Sequence, residues 1–170
     1  MRGLPDFLFR SSAALAALFL VAIAPLVLAQ ALGRMVGVAV PDTNEMAGFC
    51  LAASMFLALG PTLRAGTHVR VTIVLFRLKA GPRRAVEAIT LLAATGLGGC
   101  FAYWMAALAW ESWSYGDASP GILAFPLWIP QAAMALGLLV FTIATVEALV
   151  DRARGRDPAF VAGEATALNE

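Results

Sequence analysis

Charge is scarce in this chain. Charged residues make up 14% of its 170 positions and hydrophobic residues 61%, with a mean hydropathy of +0.81. A water-soluble domain carries about 25% charged residues, so an ordinary soluble globule is excluded. Histidine occurs once, at His68. A membrane cytochrome b ordinarily holds each haem between two histidines, which one chain with one imidazole cannot supply. Cysteine occurs twice, at Cys50 and Cys100, both inside apolar runs. Without a histidine cluster the two make no zinc site, and inside a bilayer they read as small apolar side chains rather than a disulfide. There is no Ser/His/Asp set, no glycine-rich phosphate loop and no paired-carboxylate motif. The chain is therefore not expected to be an enzyme, and no cofactor or metal is expected. No basic tract with interleaved aromatics points to nucleic acid.

What the chain has instead is four apolar stretches, Ser11–Gly33, Met46–Leu63, Ala85–Trp110 and Ile129–Val150. A membrane span needs about 20 apolar residues. Numbering the intervening segments alternately inside and outside sorts the basic residues. The inside set holds Arg2, Arg10, Arg64, Arg70, Arg77, Lys79, Arg83, Arg84, Arg152, Arg154 and Arg156; the outside set holds only Arg34. Basic loops resist translocation, so both termini are expected in the cytoplasm of a multi-pass inner-membrane protein. The competing reading of the N-terminus is a cleaved signal peptide, with Val27-Leu28-Ala29 as its small-residue site. Its apolar run is longer than the usual h-region, and its removal would leave three spans. Residues 1–150 are expected to form a single four-helix transmembrane domain and residues 151–170 a short polar cytoplasmic tail.

The fold class is thus an all-α integral membrane protein: four transmembrane helices plus a cytoplasmic interfacial amphipathic helix between the second and third. That extra helix is expected at Val69–Lys79, which is too short to span. In helical phase it groups Arg70, Arg77 and Arg84 at seven-residue spacing, with Val69, Ile73 and Phe76 on another face, a pattern that suits a membrane surface and its lipids. Gly81-Pro82 is expected to stop it before the third span. Ser11-Ser12 is expected to cap the first span, Pro25 to kink it, and Asp42 or Thr43 to cap the second, with Glu45 in its first turn. Ala47, Gly48, Ala52, Ala53, Ser54, Ala58 and Gly60, and later Gly96, Gly98 and Gly99, offer small-residue faces for helix packing in lipid. Tyr103, Trp104, Trp110, Trp113 and Trp128 form an aromatic belt on the outer side. No ionisable group lies at a span centre. Glu87 and Glu147 fall near the cytoplasmic ends of their spans, where salt-bridge positions are expected rather than ion ligands.

At Arg64-Ala65-Gly66-Thr67-His68-Val69-Arg70 the chain resembles the small membrane subunit of TRAP (tripartite ATP-independent periplasmic) transporters, the DctQ-like family. Arg34 resembles that family's basic residue after the first span, and Glu45 its acidic residue opening the second. Pro126-Leu127-Trp128-Ile129-Pro130 resembles its Trp-x-Pro entry to the last span. The likeness runs over Ser11–Val150. Two places depart from the pattern: Met35-Val36-Gly37 stands where the family has an aromatic and an asparagine, and Thr72 where it often has aspartate. The resemblance marks Arg34, Glu45, Arg64, Gly66, His68, Arg70, Arg77, Trp128 and Pro130 as structural or subunit-interface candidates. From the residues alone, His68 reads equally as a turn residue capping the interfacial helix, and Arg34 with Glu45 as a simple external ion pair.

The resemblance implies a non-catalytic subunit that scaffolds a large multi-span permease. Such a permease takes up organic acids such as C4-dicarboxylates on a sodium gradient, with a periplasmic substrate-binding protein delivering the substrate. Two alternatives stand beside it: a membrane-anchor subunit of a respiratory or other complex, and a self-contained small exporter. The first span lacks the carboxylate that small four-span proton-coupled exporters use.

Overall fold

The computed structural model describes residues 3–38, 40–66, 80–156 and 158. Four helices account for most of them: α1 (Gly3–Met35), α2 (Thr43–Arg64), α3 (Ala80–Tyr115) and α4 (Trp128–Ala153). All four are long and apolar enough to cross a membrane. At 1.5 Å per residue, α1 and α3 measure about 50 Å or more, against a hydrocarbon core of about 30 Å. Each therefore carries turns beyond the core. Among the described residues there is no strand, only an isolated bridge between Ala118 and Pro126. The interfacial helix expected at Val69–Lys79, and with it His68, Arg70 and Arg77, lies outside the described residues.

Glycine ends each of the four described helices. Gly37, Gly66, Gly116 and Gly155 hold φ between 69° and 77°, the left-handed conformation that a side chain resists and a helix C-terminus uses. After α1, Val38 N–H donates to Gly33 O (2.8 Å) and Gly37 N–H to Arg34 O (3.3 Å); after α4, Arg156 N–H donates to Asp151 O (2.9 Å) and Gly155 N–H to Arg152 O (3.1 Å). These are paired Schellman bonds, and they satisfy carbonyls that the helix ends would leave bare.

Helix starts differ from the sequence expectation. Ser11 and Ser12 do not cap α1, which begins eight residues earlier at Gly3. Ser11 Oγ donates back to Phe7 O and Leu8 O. Ser12 reaches across to α2, where its hydroxyl donates to Leu57 O at 2.7 Å. The physical reason lies in α2 itself. Leu57 O would accept from the N–H four residues on, but that residue is Pro61, which has none. Gly81 and Pro82, expected to stop an element before the third span, lie within the first turn of α3 itself, where the missing proline N–H is one that a helix leaves unpaired anyway; residues 67–79, just before it, lie outside the described residues. The α1 helix continues through Pro25.

The helices pack as an open row in the order α1, α2, α4, α3. α1 lies on α2, α2 on α4 and α4 on α3, while α1 touches α4 only slightly. Two glycines set the α2–α4 crossing. A β-carbon at Gly137 would meet the Phe56 backbone, and one at Gly60 would come 2.7 Å from Val140 Cγ1. On the other flank, a β-carbon at Gly98 would crowd Phe141 and Thr142. Gly48 and Gly96, expected in packing faces, have open space at the β-position. The apolar core is small: Phe9, Leu63, Val140 and Ala144 form one cluster, Leu91 and Ala148 another. Elsewhere the helices present Leu18, Val21, Leu28, Leu92 and Leu97 outward, as lipid-facing helices do.

Candidate functional site

The antiparallel row brings the N-termini of α1 and α3 beside the C-termini of α2 and α4. Acidic side chains are favoured at the first kind of end and basic ones at the second, so ion pairs form between neighbours. Arg64, in the last turn of α2, places Nη2 2.6 Å from Asp6 Oδ1 of α1 and Nε 3.9 Å from Glu147 Oε2 of α4. Its guanidinium also lies over the Phe9 ring, 4.7 Å from the centroid. Glu87 of α3 pairs with Arg152 of α4. Glu87 is buried, 5% exposed, so this pair is the more costly to break. The salt-bridge positions expected for Glu87 and Glu147 are where these residues sit. The first eight residues of α1, which precede the apolar run, supply Asp6. Its signal was an acid in a helical first turn.

At the opposite end a loop, residues 116–127, crosses from α3 over α4 to the start of α2. Asp42 precedes α2 but does not cap it; its backbone is left-handed (φ 56°) and its side chain makes no capping bond. The carboxylate instead accepts from Leu123 N–H at 2.6 Å. Thr43 does not cap either, since its hydroxyl donates to Val40 O at 3.3 Å. Glu45, in the first turn, accepts from Ser119 Oγ at 3.2 Å. Ser119 also exchanges bonds with Phe125, whose N–H donates to Ser119 Oγ and whose carbonyl accepts from Ser119 N–H. Gly121 fits between the two carboxylates, where a β-carbon would come 2.6 Å from Asp42 Cγ and from Glu45 Oε2. Among the described ion pairs none joins Glu45 to Arg34, which is exposed in the last turn of α1. Ser119 and Gly121 were not singled out from the sequence, because nothing local marks a loop residue that is fixed by a distant helix.

The other candidates fall into place individually. Gly66 is the left-handed residue after α2, and its N–H donates to Leu63 O at 3.2 Å. Trp128 opens α4 and lines an apolar groove of about 820 Å³ between α3 and α4, with Trp110, Trp113, Ala106 and Leu136. Pro130 is buried in the first turn of α4, where its absent N–H leaves no helical bond broken. Arg64 joins three helices; Glu45 joins α2 to the loop. The structure does not bring these candidates to one place.

Within the helices several hydroxyls turn back on their own carbonyls, while that of Ser12 crosses from α1 to α2. Thr62 donates to Ala58 O, Thr95 to Leu91 O, Thr142 to Leu138 O and Thr145 to Thr142 O. Among the described residues no three of His, Cys, Asp and Glu converge as a metal set would. What the arrangement can do chemically is hold helices together at two ends.

The family model described as tripartite ATP-independent periplasmic transporters, DctQ component, matches residues 23–155. That stretch begins within α1 and extends just past α4. No curated protein and no solved structure matches the chain.

Proposed function

The chain belongs to the DctQ component family of tripartite ATP-independent periplasmic transporters, and from that membership we propose that it scaffolds a large multi-span permease for sodium-gradient-driven uptake of organic acids such as C4-dicarboxylates. A periplasmic binding protein delivers the substrate to the assembled complex. Both termini face the cytoplasm, and Arg34 and Asp117 face the periplasm.

The observation that carries this reading is the distribution of polar groups. An ion-coupled site at the midplane needs converging ligands or broken helices. Here the helices are continuous, the hydroxyls of Thr95, Thr142 and Thr145 bond carbonyls of their own helices, that of Ser12 is taken up by a backbone carbonyl of α2, and the described ion pairs sit at one end. An open row of helices with broad apolar faces suits a fixed partner surface better than a pathway.

Reconstitution tests the division of labour. Vesicles holding this chain and the large permease, supplied with the binding protein, should take up substrate on a sodium gradient, and vesicles holding the chain alone should not. The Glu147→Gln variant, if it assembles normally, should leave the sodium dependence unchanged. Uptake by the chain alone, or a changed sodium stoichiometry in that variant, would overturn the scaffold reading.

A further inference from the structure

The tip of the 116–127 loop is fixed by its backbone, while its two large side chains are left bare. Asp42 holds Leu123 N–H, Glu45 holds Ser119, and Gly121 is wedged against both carboxylates. Yet Ile122 is 83% exposed and Leu123 60%. Two non-glycine residues at this contact have positive φ, Asp42 at 56° and Ala124 at 43°. Backbone of that kind persists only where its surroundings over-determine it.

The depth of the tip follows from its contacts. Phe125 stacks on Phe49 with ring centroids 5.8 Å apart, and Phe49 lies about two helical turns inside α2 from Asp42. Leu123 is bonded to Asp42 itself, at the boundary of the span. Two residues therefore carry the chain from the apolar layer to its edge, and Ile122 stands at that edge. The same end of the helix row carries other exposed apolar and aromatic side chains: Met35 at the end of α1, Val36 and Val38 in the connection to α2, and Trp113, Tyr115 and Trp128 around the loop. The tip continues that lipid-facing band, and no residue of Gly121-Ile122-Leu123-Ala124 is charged.

We propose that this tip is a membrane wedge: Ile122 and Leu123 insert into the headgroup–acyl boundary of the leaflet at the Trp-rich end, and α2 holds them there through Asp42 and Glu45. The occupant of the site is phospholipid, met through its acyl chains. The inference requires only that the four helices span the bilayer. It stands apart from the scaffold role and from which side of the membrane each end faces.

The test places a nitroxide at position 122, by Ile122→Cys in a Cys50→Ala/Cys100→Ala background, with Asp117→Cys as the exposed reference. The full chain is reconstituted in vesicles of phosphatidylethanolamine and phosphatidylglycerol. Collisions with oxygen, which concentrates in lipid, are compared with collisions with a water-soluble nickel chelate. Oxygen should dominate at 122 and nickel at 117, with or without the other transporter components. Nickel access at 122 equal to that at 117 overturns the proposal, as does shielding that appears only when another component is added, which would make the occupant a protein. A label at Leu123→Cys repeats the reading if the first variant does not accumulate. Adding Asp42→Ala should release the tip and reduce its oxygen preference; an unchanged depth overturns the tether.

Discussion

The bond from Ser12 to the carbonyl of Leu57 predicts a change whose size depends on a residue four positions further along α2. Ser12 is buried at 4% exposure and its hydroxyl lies 2.7 Å from Leu57 O. Pro61 cannot donate to that carbonyl, so Ser12→Ala leaves a buried acceptor without its described partner. Such a loss costs about 1–3 kcal/mol in a protein interior, and interhelical bonds in membranes run nearer to about 0.6–1.7 kcal/mol. About 1–2 kcal/mol is therefore expected, or roughly 2–8 °C in unfolding temperature by the scaling for chains of this length. Pro61→Ala restores an N–H to the helix at the right place. In that background Ser12→Ala should cost close to nothing. The assay is a double-mutant cycle, with thermal unfolding of the purified chain in detergent read by tryptophan fluorescence. Equal destabilisation by Ser12→Ala in both backgrounds would refute the compensation and reduce Ser12 to an ordinary packing residue.

Glu87→Gln and Arg152→Gln should each destabilise, because breaking an ion pair with a buried member is costly, and the double variant should lose less than the sum; additive losses in the same unfolding assay would dismiss the pair. Gly137→Ala should fall below Gly48→Ala in stability by about 1–3 kcal/mol, the usual cost of overpacking, because helix propensity cancels in the comparison and only Gly137 abuts backbone. Equal melting temperatures would refute the close α2–α4 crossing. Single cysteines at positions 117 and 154, in a background lacking Cys50 and Cys100, should label from the periplasmic and cytoplasmic sides respectively in intact cells; the reverse pattern would invert the topology.

Hydropathy alone locates the four spans, because a run of about 20 apolar residues has few other uses. It places their ends less well. Asp6 and Arg10 look like flanking charge, yet α1 includes both, since turns beyond the hydrocarbon are supported by neighbours such as Arg64. The order of the row was not legible. A helix facing lipid on several sides is apolar all round, so no stripe betrays its partner. Gly137 and Pro61 were passed over for a related reason: each is a single residue within an apolar run, and its role appears only beside Phe56 or Ser12. Pro130 and Gly66 were marked only by the resemblance, and the structure gives them local roles, at a helix start and a helix stop. Arg34 and Glu45 looked like a natural pair by sequence proximity and opposite charge, but Ser119 arrives from a distant loop and takes Glu45.

The position of α4 between α2 and α3 has a consequence for biosynthesis. The first two helices are neighbours and can meet as soon as both are in the bilayer. The third has no extensive surface to rest on until the fourth has been made, because α4 is the helix it packs against. At about 5–20 residues per second, the ribosome needs on the order of seconds to travel from Tyr115 to Ala153. During that interval α3 is a solitary span carrying the acidic Glu87 without Arg152. The chain thus completes itself from its last helix inward, and a nascent protein halted before Trp128 would leave its third span as an orphan for quality-control proteases to find.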